Sequence, residues 1–305
     1  MQNKKYWLLG ALLALVLIIW KILSAPTMPS QTNSPDKLNI TASFYPLAYI
    51  AQNIGGNLIN VTNITPPGME PHDFEPSPTT IAKIYNSKLF IFNGGSIDAW
   101  AEKIKLDLET QGTATIEMAF ETRDVLPDPK KIDPHLWLDP TIMSREADII
   151  ADALIKIDSK HAEEYNRNRD VLKRKLAELD NEYKSGLTNC QVREIVTSHD
   201  AFGYLANRYN FTTFHILGLS PEEDPSPKKI AEISKLAKSK NIQYIFFETM
   251  ASPKLSQTIA NEIGAHTLVL NPIEGLLPQD TKTNEDYISI MRKNLTNLKT
   301  AMVCQ

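Results

Sequence analysis

Six histidines are spread along the chain, and three of them stand where a metal ligand would be useful. His72 lies in Pro66-Pro67-Gly68-Met69-Glu70-Pro71-His72-Asp73-Phe74-Glu75-Pro76-Ser77-Pro78, with five prolines in thirteen residues. Proline fixes φ, so much of this backbone is set before folding. A stiff loop that presents one imidazole suits a ligand that must be held still. A proline-rich turn with an exposed His is the plainer alternative. His135 follows a second proline-rich stretch, and His199 stands in Thr197-Ser198-His199-Asp200. Glu274 stands in Leu270-Asn271-Pro272-Ile273-Glu274-Gly275. Three imidazoles and one carboxylate suit Zn2+, with Mn2+ and Fe2+ as alternatives. The gaps of 63, 64 and 75 residues carry little weight alone. His161 reads as a solvated helix residue, His215 as a packed strand residue, and His266 as sitting at the entry end of its strand.

The pattern around these residues predicts an α/β fold. Strands are expected at 38–44, 58–64, 88–92 and 113–117. Helices are expected at 46–54, 78–85 and 97–109, and Asp139 caps another with Pro140 in its first turn. Residues 159–185 lack Gly and Pro and are densely charged, with a sparse stripe of Tyr165, Leu172, Leu176, Leu179 and Tyr183. That pattern predicts one long, mostly solvated helix, about 40 Å in length, acting as a stiff connector. Beyond it, strands at 193–198, 212–217, 244–248 and 267–270 alternate with helices at 201–209, 228–239, 253–263 and 285–301. Glu75-Pro76-Ser77-Pro78 and Asp224-Pro225-Ser226-Pro227 each precede Ile-Ala-x-Ile two residues on, which favours two similar lobes. His72, His199 and Glu274 each follow a strand, at the carboxyl end where open α/β sheets bind ligands. The expected domains are 1–36, a lobe at 37–158, a linking helix at 159–186 and a lobe at 187–305. The two lobes have mainly parallel sheets, with the metal site in the cleft between them.

Composition narrows the function. A hydrophobic share of 42% supports real cores, and a net charge of −4 gives no electrostatic case for nucleic acid. Lys4 and Lys5 precede an uncharged run from Tyr6 to Trp20, then Lys21 and a polar linker. This reads as a signal peptide or, because Ala25-Pro26 is a poor cleavage site, as a retained membrane anchor. Export implies an oxidising compartment, where Cys190 and Cys304 are expected to form a disulfide rather than remain two buried thiols. No cysteine near the N-terminus is placed to carry a lipid. His-Glu-x-x-His, a Gly-x-Ser-x-Gly elbow and a phosphate loop are absent. Four protein ligands leave no evident open position for an activated water, which points to binding and not to an enzyme.

The chain resembles the metal-binding solute-binding proteins of ATP-binding-cassette importers, in their zinc and manganese branch. The resemblance covers 38–304. It rests on the His72 stretch, on Asp-Pro-His-Leu-Trp-Leu-Asp-Pro at 133–140, and on Thr-Ser-His-Asp-Ala-Phe-Gly-Tyr-Leu-Ala at 197–206. Gly-Leu-Ser-Pro-Glu-Glu-Asp-Pro-Ser-Pro at 218–227 and Leu-Asn-Pro-Ile-Glu-Gly-Leu at 270–276 complete it. It implies two α/β lobes joined by a rigid helix and a metal between them. It implies His72, His135 and His199 as ligands, with Glu274 or water as the fourth. Manganese-type members usually carry Glu at the third position, so His199 favours zinc. Two departures stand out: residues 121–134 contain no His, where many zinc members carry a His-rich loop, and no lipidated Cys is present.

The expected function is therefore extracytoplasmic zinc binding and delivery to the membrane permease of an importer, by a monomer. Asp73, Asp139 and Asp200 are candidates to orient the imidazoles, with salt bridges or helix caps as the alternative for each. Rival readings are a Mn2+ or Fe2+ carrier, a zinc hydrolase with Glu274 as general base, and a cell-surface adhesin.

Overall fold

The computed structural model describes residues 37–126, 133–221 and 225–305. The expected signal or anchor segment at 1–36, most of the second proline-rich stretch and Asp224 lie outside the described residues. Eight strands form two four-stranded sheets, and every pairing is parallel. The first sheet has the order β2-β1-β3-β4, from β1 (Leu38–Ala42), β2 (Ile59–Asn63), β3 (Leu89–Phe92) and β4 (Ala114–Glu117). The second has the order β6-β5-β7-β8, from β5 (Glu194–Thr197), β6 (Thr212–His215), β7 (Tyr244–Phe247) and β8 (His266–Val269). The two sheets repeat one topology. Parallel sheets are covered on both faces, and β3 shows the consequence: Leu89, Phe90, Ile91 and Phe92 are all buried.

The covering helices are α1 (Tyr45–Gly55), α2 (Pro78–Tyr85), α3 (Ala99–Thr110), α4 (Met118–Glu121) and α5 (Pro140–Ile157). They continue with α6 (Ala162–Gly186), α7 (Gly203–Tyr209), α8 (Pro227–Ser239), α9 (Lys254–Ile263), α10 (Pro278–Lys282) and α11 (Tyr287–Ala301). The repeated capping signal works as read. Ser77 accepts from the Thr80 amide and Ser226 from the Lys229 amide, each at 3.2 Å, with Pro at the first helical position. Asp139 caps α5 through the Thr141 amide at 2.7 Å.

The long helix α6 is less solvated than its charge suggests. Its stripe of Tyr165, Leu172, Leu176, Leu179 and Tyr183 is buried, and it packs on α5 and α1 of the first lobe and on α11 of the second. Tyr183 donates to the Met291 carbonyl at 2.7 Å, and Asp180 accepts from Arg208 and Tyr209 at the start of the second lobe. A helix fastened to both lobes resists their relative motion. Cys190 and Cys304 are joined in the expected disulfide, which ties the end of α11 to the entry of β5.

Candidate metal centre

Sheet topology puts the carboxyl ends of both sheets at one cleft. After β2 the chain enters the proline-rich loop. Thr65 anchors it, with its hydroxyl donating to the Ser43 carbonyl at 2.7 Å, and buried Phe74 packs edge-on to Trp100. His72 is presented from between these two fixed points. His135 is held from β3: Asn93, fully buried at that strand's end, donates to the Pro134 carbonyl at 2.9 Å. His199 follows β5 directly, and Glu274 follows β8.

The four predicted residues converge. His72 Nε2, His135 Nε2 and His199 Nε2 lie 3.5, 3.3 and 3.4 Å from Glu274 Oε1. His135 Nε2 and His199 Nε2 are 3.2 Å apart, and one ligand atom from each of the four falls within 4.8 Å of the others. In a regular tetrahedron, zinc bonds of about 2.0–2.1 Å separate the ligand atoms by about 3.3–3.4 Å. The three edges to Glu274 and the edge between His135 and His199 lie close to that figure, and those from His72 to the other two imidazoles are within 4.8 Å. His135, His199 and Glu274 are fully buried, and among the described residues His72 Nε2 and both Glu274 carboxylate oxygens have no hydrogen-bond partner. Buried polar atoms are normally paired. Orphaned acceptors around one point are what a cation would satisfy.

The rings are oriented from behind. His135 Nδ1 is 2.7 Å from Asp133 Oδ1, and His199 Nδ1 is 2.6 Å from Glu248 Oε1. Each carboxylate accepts the Nδ1 proton and leaves Nε2 as a lone-pair donor, the arrangement seen behind metal-bound imidazoles. The Ser198 hydroxyl also bonds Glu248. The second lobe braces Asp133 as well: a Cβ on Gly203 would come within 2.9 Å of Asp133 Oδ2, so the close approach needs glycine. Two nitrogen lone pairs facing each other at 3.2 Å repel unless a proton or a metal lies between them.

Charge follows the same logic. Burial alone would lower the His199 pKa, but Glu248 and Glu274 outweigh it and raise it well above the usual imidazole value. His135 behaves alike, with burial opposed by Asp133 and Glu274. Burial would raise the Glu274 pKa, and the three imidazoles instead hold it well below the carboxylate range. Burial first, and then the neighbouring Glu274, push the Glu70 pKa up to about 10. Glu70 Oε1 is 3.4 Å from the His72 amide nitrogen, within the loop.

The residues proposed from sequence to orient the rings are mostly different ones. Asp73 is exposed, Asp139 is a helix cap, and Asp200 faces His215 at 3.3 Å. The correct pair, Asp133 and Glu248, carried a signal. Asp133 is two residues before its histidine, and Glu248 follows β7, which lies beside β5 in the sheet. The other histidines stay outside: His161 is 2.7 Å from Asp158, and His266 opens β8.

A family model described as zinc-uptake complex component A, periplasmic, matches residues 40–301. The chain belongs to this family. Its members are solute-binding components of metal uptake. A Bacillus subtilis (strain 168) relative named high-affinity zinc uptake system protein ZnuA is 32% identical over 315 residues, 98% of each chain. The zinc-binding lipoprotein AdcA of Streptococcus pneumoniae is 34% identical over 88% of this chain, which spans only 57% of AdcA's length. The crystal structure of the Zn(II)-bound ZnuA-like domain of that protein superposes with a TM-score of 0.77 and 36% identity, covering 87% of this chain and 99% of the domain. The two-lobed fold with its long linking helix is the fold of these structures. No helix among the described residues is long and apolar enough to cross a membrane.

Proposed function

We propose that this chain is the extracytoplasmic zinc-binding protein of an ATP-binding-cassette importer, carrying Zn2+ on His72, His135, His199 and Glu274 to a membrane permease. Zn2+ is cargo here. The observation that carries the reading is the convergence of four buried ligand atoms, three nitrogens and one oxygen, within 4.8 Å of one another, with Glu274 at 3.3–3.5 Å from each imidazole. Family membership and the zinc named in its relatives support the choice of metal. Three imidazoles suit zinc better than the oxygen-rich ligation that manganese prefers.

The chain's own groups account for capture. Asp133 and Glu248 fix the tautomers of His135 and His199, Glu274 supplies the balancing charge, and the His72 loop closes the site from the first lobe. Four protein ligands saturate a tetrahedral ion, so no position remains for a hydrolytic water and binding is favoured over catalysis. The fastening of α6 to both lobes limits opening, so release requires contact with the transporter or local loop movement.

The test is metal content with competitive titration, wild type beside His199→Ala. One tightly held zinc, lost or greatly weakened in the variant, supports the reading. Tight manganese with weak zinc would keep the carrier and overturn its cargo. Absence of stoichiometric metal in the wild type would sink the reading.

A further inference from the structure

Glu274 belongs to the second lobe, yet the first lobe holds the loop that carries it. The Trp137 indole Nε1 donates to the Pro272 carbonyl at 2.7 Å. The Gly68 amide, in the His72 loop, donates to the Leu276 carbonyl at 2.9 Å. These two bonds grip the chain two residues before and two residues after Glu274.

Trp137 is placed to join two ligands. It is fully buried in the 3-10 turn Leu136–Leu138 that directly follows His135, and its ring centroid is 5.4 Å from that of His135. Its own carbonyl accepts from Tyr287 of α11 at 2.6 Å, and Phe44 packs edge-on against its ring. The indole is thus locked from both lobes.

The gripped loop is strained at the adjacent residue. Ile273 is buried and has φ of +59°, in the left-handed region that a β-branched side chain rarely enters. The turn persists because its surroundings hold it. The Ile273 amide donates to Asn271 Oδ1 at 2.8 Å, and Asn294 clasps Asn271 by its amide and its carbonyl, at 2.9 and 2.7 Å. Strained backbone kept by over-determined contacts is typical of sites that switch.

We infer that Trp137 is the positioning residue for Glu274: its indole N–H latches the strained Ile273 turn across the lobe interface, so that the carboxylate ligates only while the lobes are engaged. Parting of the lobes breaks the Trp137–Pro272 and Gly68–Leu276 bonds together. The Ile273 turn then relaxes and the carboxylate leaves the ion. The inference rests on the four-ligand reading proposed above and adds how one ligand is gated.

The experiment uses the full chain and compares Trp137→Phe, Glu274→Gln and the double variant. Two readouts apply: the rate of zinc loss to a chelator, and the visible ligand-field spectrum of the Co2+-loaded protein. Trp137→Phe keeps an aromatic side chain at the position, smaller than the indole, and removes the N–H. The expected result is zinc loss faster by about 10–100-fold, the usual range when a ligand loses its support. Its Co2+ spectrum should shift as that of Glu274→Gln does, and the double variant should be no faster than Glu274→Gln alone. Asn271→Ala removes the acceptor of the Ile273 amide from the other side, so it serves if Trp137→Phe fails to fold. Zinc loss at the wild-type rate, or effects that simply add in the double variant, would overturn the gating while leaving the zinc reading intact. A wild type that retains no zinc would remove both.

Discussion

His72 and His199 serve the same site from opposite lobes and are held in different ways. His199 follows β5 without an intervening loop, is fully buried, and has Glu248 behind its ring at 2.6 Å. His72 sits in a loop between β2 and α2, its side chain is 5% exposed, and among the described residues it has no carboxylate behind it. In one case the sheet and a buried carboxylate fix the ring. In the other, prolines stiffen the chain and the ring is buried without a carboxylate brace.

The widest gap should appear on deleting the ligands. His199→Ala should weaken zinc by more than about a hundredfold, since four ligands share roughly 10–16 kcal/mol of binding in structural zinc sites. His72→Ala should cost less, because no carboxylate supports its ring as Glu248 supports His199. Competitive titration checks this, and equal losses would erase the distinction.

Acid should strike the fixed rings first. Zinc must displace the proton from Nε2, and the carboxylates raise the His135 and His199 pKa values. Affinity should therefore fall as pH drops, beginning above the ordinary imidazole value of about 6.5, by about tenfold per unit for each proton released. Affinity unchanged between pH 8 and 6.5 would contradict this.

The carboxylates themselves rank next. Glu248→Gln and Asp133→Asn should each cost about 10–100-fold in zinc affinity. Glu248 is buried and Asp133 has a side chain 21% exposed, so the Glu248 variant should cost more. The smallest effect lies outside the site. Glu146 of α5 is fully buried, both its oxygens lack partners among the described residues, and burial pushes its pKa up to about 8. The folded state keeps a proton there that the unfolded chain loses near 4.5, so stability should fall as pH rises from about 4.5 to 8. Glu146→Gln should melt several degrees higher than wild type at pH 8 and show a smaller advantage at pH 5; calorimetry decides.

Much of this was legible in the residues. Alternating periods placed the strands and helices, and Ser-Pro and Asp-Pro marked helix starts because capping depends on a few neighbouring residues. The candidate ligands were readable because His72, His199 and Glu274 follow strands, at the carboxyl ends where open α/β sheets bind ligands. Asp133 and Glu248 were missed because orientation depends on which strands lie side by side, and β5 and β7 are about 50 residues apart. The buried stripe of α6 was visible, but its dense charge concealed how firmly it packs. The left-handed Ile273 turn leaves no trace in composition, since it is imposed by partners as distant as Trp137 and Asn294.

The central claim is a closed zinc site of three imidazoles and one carboxylate, and X-ray absorption at the zinc edge of the loaded full chain tests it most directly. The account predicts four nitrogen and oxygen neighbours at about 2.0–2.1 Å, the multiple-scattering pattern of three imidazoles, and no sulfur. A five- or six-coordinate, oxygen-dominated shell with fewer imidazoles would contradict it.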